Sequence, residues 1–312
     1  MPEVVVLARS FGRASSEPLE ILKKAGLSVA FKSDPEPENE SVVAELIGDA
    51  EAVIVGVDRI GEKVLSSCPH LKVISKHGIG VDNIDLEAAK KRGIVVANAP
   101  GTNSESVADM AFLFILSCAR HLKLVLEQIQ NKKWSSPLLG SELEGKILGI
   151  VGLGRIGKGV ARRALGFGMK VIYFDPFVEE ESFTRVNLEE LFQIADFITL
   201  HLPLSSQTRH LVNEKLLSLM KKEAFLINTA RGELVDEEAL YRFLKEGRIA
   251  GAGLDVLSFE PPFESPLLTL PNVLVTPHVA AHTKEANMKM GRIAAWNVVH
   301  VLEGREPLYR VV

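Results

Sequence analysis

The sequence predicts an α/β protein with two doubly wound, parallel-sheet domains. Short runs rich in β-branched residues alternate with amphipathic segments along most of the chain, and such alternation is typical of βαβ units with right-handed crossovers. The alternation stops between residues 104 and 144 and then resumes, which indicates two sheets rather than one. A length of 312 residues, 46% of them hydrophobic, is sufficient for two cores.

The first series of elements runs from Val4 to Asn98. Pro100 and Gly101 interrupt the pattern directly after it. The strand candidates are VVVLA, LSVAF, AVIVG, LKVISK and IVVAN, and the helix candidates between them are PLEILKKAG, VVAELIGDA, EKVLSSC and DLEAAKKRG. We therefore predict a first α/β domain over residues 1–98.

The second series follows one long apolar helix, predicted over residues 104–132, and a loop over residues 134–144. Its helix candidates are RIGKGVARRALGFG, residues 213–220 and DEEALYRFLKEG. Its strand candidates are KILGIVG, KVIYFD, DFITLHL, FLINTA, GAGLDV and VLVTPHV. The second domain is predicted over residues 99–283.

A last amphipathic helix is predicted from Lys284 to Glu303, outside the second series of strands. We expect it to return to the first domain, which would then be discontinuous and comprise residues 1–98 and 284–312. A ligand cleft is expected between the two domains.

Charge and cysteine content exclude several classes of function. The chain has 36 Lys and Arg against 40 Asp and Glu, so its formal charge is −4 and it lacks the basic surface that nucleic acid requires. Cys68 and Cys118 are the two cysteines, which gives neither a disulfide framework nor metal-ligand spacing. The N-terminus resembles a first strand more than a signal peptide, and the most apolar stretch is too short for a bilayer. We expect a cytoplasmic protein without metal, membrane or nucleic acid.

A glycine-rich turn opens the second series of elements. Gly152, Gly154 and Gly157 form G-x-G-x-x-G directly between a strand candidate and a helix candidate. Asp175 ends the next strand candidate, about 20 residues further on, where dinucleotide-binding folds carry an acid for the adenosine ribose. The motif predicts a dinucleotide site, and the acid favours NAD because it would repel the 2′-phosphate of NADP and is followed by Pro176. The alternative is a turn that serves helix packing alone.

Three charged residues stand at or just after strand ends in the second half of the chain: Arg231, Glu260 and His278. Histidine exchanges protons near neutral pH, a carboxylate can orient its ring, and arginine can bind a carboxylate with two parallel hydrogen bonds. Together they suit hydride transfer at a carbon that bears a hydroxyl group. Taken singly, each has an ordinary structural alternative, such as a surface ion pair between Arg231 and Glu233 or Asp236.

Four motifs surround these residues: GLGRIG, INTARGELVDEEAL, GAGLDVLSFEPP and TPHVAAHT. With the segment KHGIGVDNIDLEAAKKRGIVVANAPGTNSESVADM, they make the chain resemble the D-isomer-specific 2-hydroxyacid dehydrogenases, and among these the phosphoglycerate dehydrogenases most. The resemblance implies a flavodoxin-like substrate domain, a Rossmann NAD domain and a homodimer. It also implies that Arg231, Glu260 and His278 form the catalytic set.

The resemblance further implies two sets of binding residues, with His201 as an additional candidate for the coenzyme. The substrate would be bound by Lys76, Gly78, Ile79 and Arg231, in a loop shaped by Asn83 and Asp85. NAD would be contacted by Gly152, Gly154, Arg155, Ile156, Gly157, Asp175, Pro203, Thr208, Thr229, Ala230, Asp255 and His278.

The identity of the substrate stays open on the sequence. The best candidate is 3-phosphoglycerate, with Lys76 or Arg59 as the cation for its phosphate, although Lys76 could equally pair with a nearby acid. Hydroxypyruvate, glyoxylate and sulfopyruvate are alternatives, and phosphite dehydrogenase and a corepressor-like NAD-binding scaffold are further ones. Because the chain ends at Val312, the resemblance predicts a form without the appended regulatory domains of longer phosphoglycerate dehydrogenases.

Overall fold

The computed structural model describes residues 3–32, 36–134 and 139–312. The chain divides into two compact units: the first comprises residues 1–103 and 282–312, and the second comprises residues 104–281. Relative to the predicted domains, the turn at 99–103 and residues 282–283 belong with the first unit. Within the loop predicted at 134–144, residues 135–138 lie outside the described ranges.

The strands and helices follow the predicted alternation. The strands are β1 Val4–Val6, β2 Val29–Phe31, β3 Ala52–Val55, β4 Val73–Lys76, β5 Val95–Ala97, β6 Ile147–Val151, β7 Lys170–Phe174, β8 Thr184–Arg185, β9 Phe197–Leu200, β10 Phe225–Asn228, β11 Gly251–Leu254 and β12 Val273–Val275. The α-helices are α1 Glu17–Lys24, α2 Glu40–Ile47, α3 Glu62–Ser67, α4 Leu86–Lys91, α5 Ser104–Ala119, α6 Leu122–Gln130, α7 Arg155–Gly166, α8 Leu188–Ile194, α9 Glu214–Leu219, α10 Glu237–Lys245 and α11 Lys284–Leu302.

The first unit is built on a parallel sheet with strand order β2-β1-β3-β4-β5. Alternate residues of β1 enter two different cores: Val5 packs in one, and Val4 and Val6 pack in the other. The second of these cores includes Ala294 and Val298 of α11, so this helix covers one face of the sheet. Small side chains on α11 permit close approach to the strands, which explains why the C-terminal helix belongs to this unit.

The second unit is built on a parallel sheet with strand order β12-β11-β10-β9-β6-β7-β8. Its strands are buried on both faces between two hydrophobic cores, as expected for a parallel sheet covered by helices. The predicted fold class, two doubly wound parallel sheets, is confirmed. Within the described residues, no helix is long and apolar enough to cross a bilayer.

Two local predictions are wrong. The single helix predicted over 104–132 is two helices, α5 and α6, because His121 between them adopts a left-handed conformation with φ of 50°. The short strand β8 was not predicted, since its two residues are exposed and carry no hydrophobic alternation. Strand β8 pairs with β7, and this pairing brings Arg185 opposite Tyr173.

Candidate functional site

The glycine-rich turn joins β6 to α7 and leaves room for a ligand. Gly152 has φ of +94°, and a Cβ there would lie 2.6 Å from the carbonyl oxygen of His201. A Cβ on Gly157 would lie 2.3 Å from the carbonyl oxygen of Gly152. Both positions therefore require glycine for the fold itself. A Cβ on Gly154 would meet no atom within 4 Å, so the fold leaves this position open.

Asp175 lies immediately after β7 and is 8% exposed. Its Oδ2 accepts a hydrogen bond from the amide of Leu153 in the glycine turn, at 2.8 Å. Its Oδ1 accepts from the amides of Phe177 and Val178, at 2.9 and 3.0 Å. The carboxylate thus ties the strand end to the glycine turn, which brings together the two elements that the sequence assigned to a dinucleotide.

The other predicted NAD contacts lie at or just after strand ends of the same sheet or at the start of α7. Thr229 follows β10, is 7% exposed, and its Oγ1 is a buried polar atom without a partner in the described residues. Thr208 shapes its own loop, because its Oγ1 donates to the carbonyl of Pro203 at 2.8 Å and accepts from the amide of Ser205 at 2.8 Å. Arg155 and Ile156 begin α7, with Arg155 exposed.

His201 has a different character from an exchangeable histidine. Burial lowers the pKa of its imidazole from 6.5 to about 3, so the ring is neutral at physiological pH. Its Nε2 lies 2.9 Å from Oγ1 of Thr199, and its Nδ1 has no partner in the described residues. The ring is therefore a neutral group behind the glycine turn.

Arg231 lies in a turn that a buried amide holds in shape. The side chain of Asn228, 1% exposed, accepts from the amide of Ala230 at 3.0 Å and donates to the carbonyl of Arg231 at 2.7 Å. The guanidinium of Arg231 also donates to the carbonyl of Ala230, at 2.7 Å. Sequence reasoning missed Asn228, although a polar residue at the end of a buried strand was a signal for it.

Gly232 connects this turn to the loop that carries Glu260. A Cβ on Gly232 would lie 2.0 Å from the carbonyl carbon of Leu257 and 2.2 Å from the amide nitrogen of Ser258. The two loops can therefore pack together only because position 232 has no side chain.

His278 and Glu260 form the central pair of the site. Nδ1 of His278 lies 2.9 Å from Oε2 of Glu260, and both side chains are about half-exposed. Oε1 of Glu260 accepts from the amide of Leu257 at 3.3 Å. Because Nδ1 is paired with the carboxylate, Nε2 is the atom through which the ring can exchange a proton with a bound molecule.

Asp255 holds the turn on which His278 lies. Its buried carboxylate accepts hydrogen bonds from the hydroxyl of Thr276 and from the amides of Val279 and Ala280, at 2.5, 2.9 and 2.8 Å. The amide of His278 donates to the carbonyl of Asp255 at 2.8 Å. These contacts stabilise His278 in a left-handed conformation, φ 54°, which a side chain other than glycine rarely adopts.

In the first unit, Lys76 organises the end of β4. Its Nζ donates to the carbonyl of Gly56 at 2.5 Å and to Oδ1 of Asn83 at 2.6 Å. The amide of Asn83 in turn donates to the carbonyl of Asp58 at 2.5 Å. Asp85 caps α4 by accepting from the amide of Ala88 at 2.9 Å. Both residues that were expected to shape this loop do so.

The loop after β4 presents amide groups. The carbonyl oxygens of Gly78 and Ile79 accept from the amide of Ala99 at 2.9 Å and the side chain of Asn98 at 2.8 Å. The amides of Gly78 and Ile79 donate to no acceptor within residues 3–32, 36–134 and 139–312. Successive amides that point away from their own carbonyls form a site suited to an anion.

His77 and Arg59 differ from what their positions in the sequence suggest. Burial lowers the pKa of His77 from 6.5 to about 4, so it adds no positive charge to the loop. The ring packs edge-on against Phe11, with centroids 5.7 Å apart. Arg59 is directed to acids, with its Nε 3.2 Å from Oε1 of Glu40 and its Nη1 4.0 Å from Oε2 of Glu38.

Comparison with known proteins agrees with this geometry. Residues 112–280 match the family described as D-isomer specific 2-hydroxyacid dehydrogenase, NAD binding domain. The chain is 44% identical over 268 residues to a D-3-phosphoglycerate dehydrogenase of Methanocaldococcus jannaschii, covering 83% of this chain and 51% of that protein. It is 41% identical to a glyoxylate reductase of Korarchaeum cryptofilum, covering 88% of this chain and 86% of that protein. A crystal structure of a Thermus thermophilus protein is 39% identical, with a TM-score of 0.91 and 99% coverage of both chains.

The matched region contains the glycine turn, Asp175, and the residues Arg231, Glu260 and His278. The chain belongs to the D-isomer specific 2-hydroxyacid dehydrogenase family, as the motifs predicted. It spans about half the length of its phosphoglycerate dehydrogenase relative and most of the length of its glyoxylate reductase relative.

Proposed function

We propose that this protein is an NAD-dependent dehydrogenase that acts at C2 of a small D-2-hydroxy acid or of the corresponding 2-oxo acid. The observation that carries the proposal is the pair of His278 and Glu260, held 2.9 Å apart in a domain that belongs to an NAD-binding family. A buried carboxylate and a left-handed turn hold the histidine in position, as expected for a proton-exchanging group.

The residues present fit a dinucleotide. Gly154 leaves open space at the N-terminus of α7, where backbone amides and the helix dipole favour a pyrophosphate. Asp175 suits a ribose diol, and the unpartnered Oγ1 of buried Thr229 has a hydrogen bond to give. Bound NAD would supply the hydride acceptor at its nicotinamide ring.

We assign three roles to the catalytic set. Nε2 of His278 removes the proton of the C2 hydroxyl as the C2 hydride leaves, so that the alcohol becomes a carbonyl. Glu260 orients the imidazole and stabilises its protonated form through Nδ1. Arg231 binds the carboxylate and the developing carbonyl oxygen. In the direction of reduction, His278 returns the proton to that oxygen.

We also assign the substrate carboxylate to the loop after β4. The amides of Gly78 and Ile79 are the donors, and Lys76 contributes positive charge while it shapes the loop through Gly56 and Asn83. Backbone amides bind any carboxylate alike, so this loop fixes the class of substrate rather than its side chain.

Two substrate groups follow from the relatives. Phosphohydroxypyruvate and 3-phosphoglycerate come first, because a relative 44% identical is a D-3-phosphoglycerate dehydrogenase. Glyoxylate and hydroxypyruvate come second, because a glyoxylate reductase matches over 86% of its own length. The ion pair between Arg59 and Glu40 favours the second group, since it removes one of the two cations expected to meet a phosphate.

The test is NADH oxidation by the purified protein with phosphohydroxypyruvate, hydroxypyruvate, glyoxylate, sulfopyruvate and 2-ketobutyrate. We expect turnover with at least one of them. Preference for phosphohydroxypyruvate supports the first group, and preference for glyoxylate or hydroxypyruvate supports the second. NADH binding without turnover of any 2-oxo acid would contradict the proposal and favour a corepressor-like scaffold.

We propose further that the protein is a homodimer. Helix α6 has no buried residue, and three apolar side chains at positions i, i+4 and i+7 form one exposed face: Leu122, Leu126 and Ile129, with exposures of 40%, 52% and 50%. Such a face suits a second copy of the chain. Light scattering should give twice the chain mass, and Leu126→Asp should reduce it whereas Gln130→Asp on the same helix should not. A monomeric wild type would contradict the proposal.

We propose a cytoplasmic location on the state of the cysteines. Cys68 and Cys118 are both free and buried, and burial raises the pKa of the Cys118 thiol to about 12, so this thiol is unreactive. Free thiols without a disulfide framework are typical of a reducing compartment. Fractionation of the source cells, with the protein detected by antibody, tests the location.

A further inference from the structure

An arginine distant in sequence lies next to Asp175. Arg185 is on β8, which pairs in parallel with β7, and it stands opposite Tyr173. Its Nη2 donates a hydrogen bond to the backbone carbonyl of Asp175 at 2.8 Å. The guanidinium therefore lies beside the residue that meets the adenosine ribose in this type of fold.

This juxtaposition matters for the choice between NAD and NADP. In dinucleotide-binding folds, an acid at the end of the second strand binds the ribose hydroxyls of NAD, whereas a nearby arginine accommodates the 2′-phosphate of NADP. This chain has both groups at the same strand end. The acid alone therefore does not explain a preference for NAD, because the arginine would partly offset its repulsion of a phosphate.

The structure shows what restrains the arginine. Nη1 of Arg185 lies 3.4 Å from Oε1 of Glu179, and the Glu179 side chain is 89% exposed. The neighbouring Glu180 pairs in the same way with another cation, Lys158, at 2.7 Å. An exposed ion pair contributes little to stability, so holding the fold together does not account for Glu179. Its charge acts instead on whatever approaches Arg185.

We propose that Glu179 is a specificity-determining residue for the coenzyme. It pairs with Arg185 and so withholds from the 2′-phosphate the one cation that contacts Asp175 among the described contacts. Asp175 then disfavours the phosphate by repulsion, and Glu179 disfavours it by neutralising its binding partner. The proposal rests on the NAD-dependent function proposed above.

Binding of NADH and NADPH, measured by the fluorescence of the reduced coenzyme, tests this without any substrate. We expect Glu179→Gln to lower the Kd for NADPH about five-fold and to change the Kd for NADH less than about two-fold, since one exposed charge is removed. Adding Arg185→Met to Glu179→Gln should abolish the gain. Glu181→Gln is the matched control, because Glu181 makes no ion pair with any residue that the structure describes.

Each outcome has a defined meaning. If Glu179→Gln leaves NADPH binding unchanged while the wild type binds NADH, the specificity proposal is wrong and the proposed function stands. The specificity proposal is equally wrong if Glu181→Gln gives the same gain, or if the gain survives the loss of Arg185. If the wild type binds neither coenzyme, both the proposed function and this inference are overturned.

Discussion

The carboxyl edges of the two sheets are organised by side chains of opposite character. At the edge of the seven-stranded sheet, buried carboxylates accept hydrogen bonds from backbone amides: Asp175 from the glycine turn and Asp255 from the turn of His278. At the edge of the five-stranded sheet, the ammonium group of Lys76 donates to a backbone carbonyl and to Asn83.

This difference determines which groups each edge can offer to a ligand. A carboxylate that binds amides fixes turns whose side chains then act on the ligand, as His278 does. A cation and an amide side chain that bind carbonyl oxygens leave backbone amides as the outward donors, as at Gly78 and Ile79. The second unit therefore presents side-chain chemistry, and the first presents a general anion site.

The largest effect should come from the side-chain chemistry of the second unit. His278→Ala removes the proton-exchanging group, so kcat should fall about 1,000-fold, within the range for general acid–base catalysis. The Kd for NADH should stay unchanged, because the glycine turn and Asp175 are intact. Steady-state kinetics and coenzyme titration measure the two quantities.

His210 provides a matched control for His278. It also has a left-handed backbone, with φ of 50°, and it is exposed in the same unit. His210→Ala should leave kcat within about two-fold of the wild type, as expected for a surface position. Undiminished turnover in His278→Ala would contradict the assigned role.

The next effect is on stability and concerns the first unit. Because burial lowers the pKa of His77 to about 4, the unfolded chain binds more protons than the folded chain below pH 6.5. The stabilisation is therefore complete above pH 6.5 and is lost as the pH falls towards 4, by about 3 kcal/mol in all. Calorimetric Tm values at pH 7 and pH 5 measure it.

His77→Gln should reduce the difference in Tm between pH 7 and pH 5, because glutamine gains no proton. A smaller dependence should remain, since the pKa of buried His201 is also lowered, to about 3. His70 is exposed in the same unit, and His70→Gln should leave the pH dependence unchanged. Equal pH dependence in His77→Gln and wild type would show that His77 titrates normally.

The two edges were not equally predictable from the sequence. In the second unit, Gly152, Asp175 and His278 lie in short motifs whose spacing sets the local geometry, and the sequence located all three. In the first unit, His77 is neutral because distant residues bury it, Phe11 among them, and Arg59 turns to Glu40 on another element. Such contacts depend on the tertiary fold, so residue type alone suggested cations where the structure shows a neutral ring and an ion pair.

The same limit explains two omissions within the second unit. Asn228 binds both the amide and the carbonyl of its own turn, a role that its position at a strand end only hinted at. Arg185 reaches Asp175 through strand pairing, and strand β8 is too short and too polar for a sequence pattern to reveal.

A smaller effect should distinguish glycines that the fold needs from a glycine that the coenzyme needs. Gly154→Ala meets no atom within 4 Å, so the Tm should not fall. A pyrophosphate requires close backbone approach at this turn, and the Kd for NADH should rise about ten-fold. Gly166→Ala at the end of α7 also meets no atom and should leave coenzyme binding unchanged. An unchanged Kd in Gly154→Ala would place the coenzyme elsewhere.

The smallest effect concerns the two cations at the anion-binding edge. Arg59 is 60% exposed and paired with Glu40, so Arg59→Gln should change the KM of every 2-oxo acid less than about two-fold. Lys76→Met, in contrast, removes two hydrogen bonds that shape the loop, and should raise the KM of charged and uncharged substrates alike. A rise in KM on Arg59→Gln that is confined to phosphohydroxypyruvate would show that Arg59 leaves Glu40 for a phosphate. The edge would then be selective rather than general, and phosphoglycerate would become the favoured substrate.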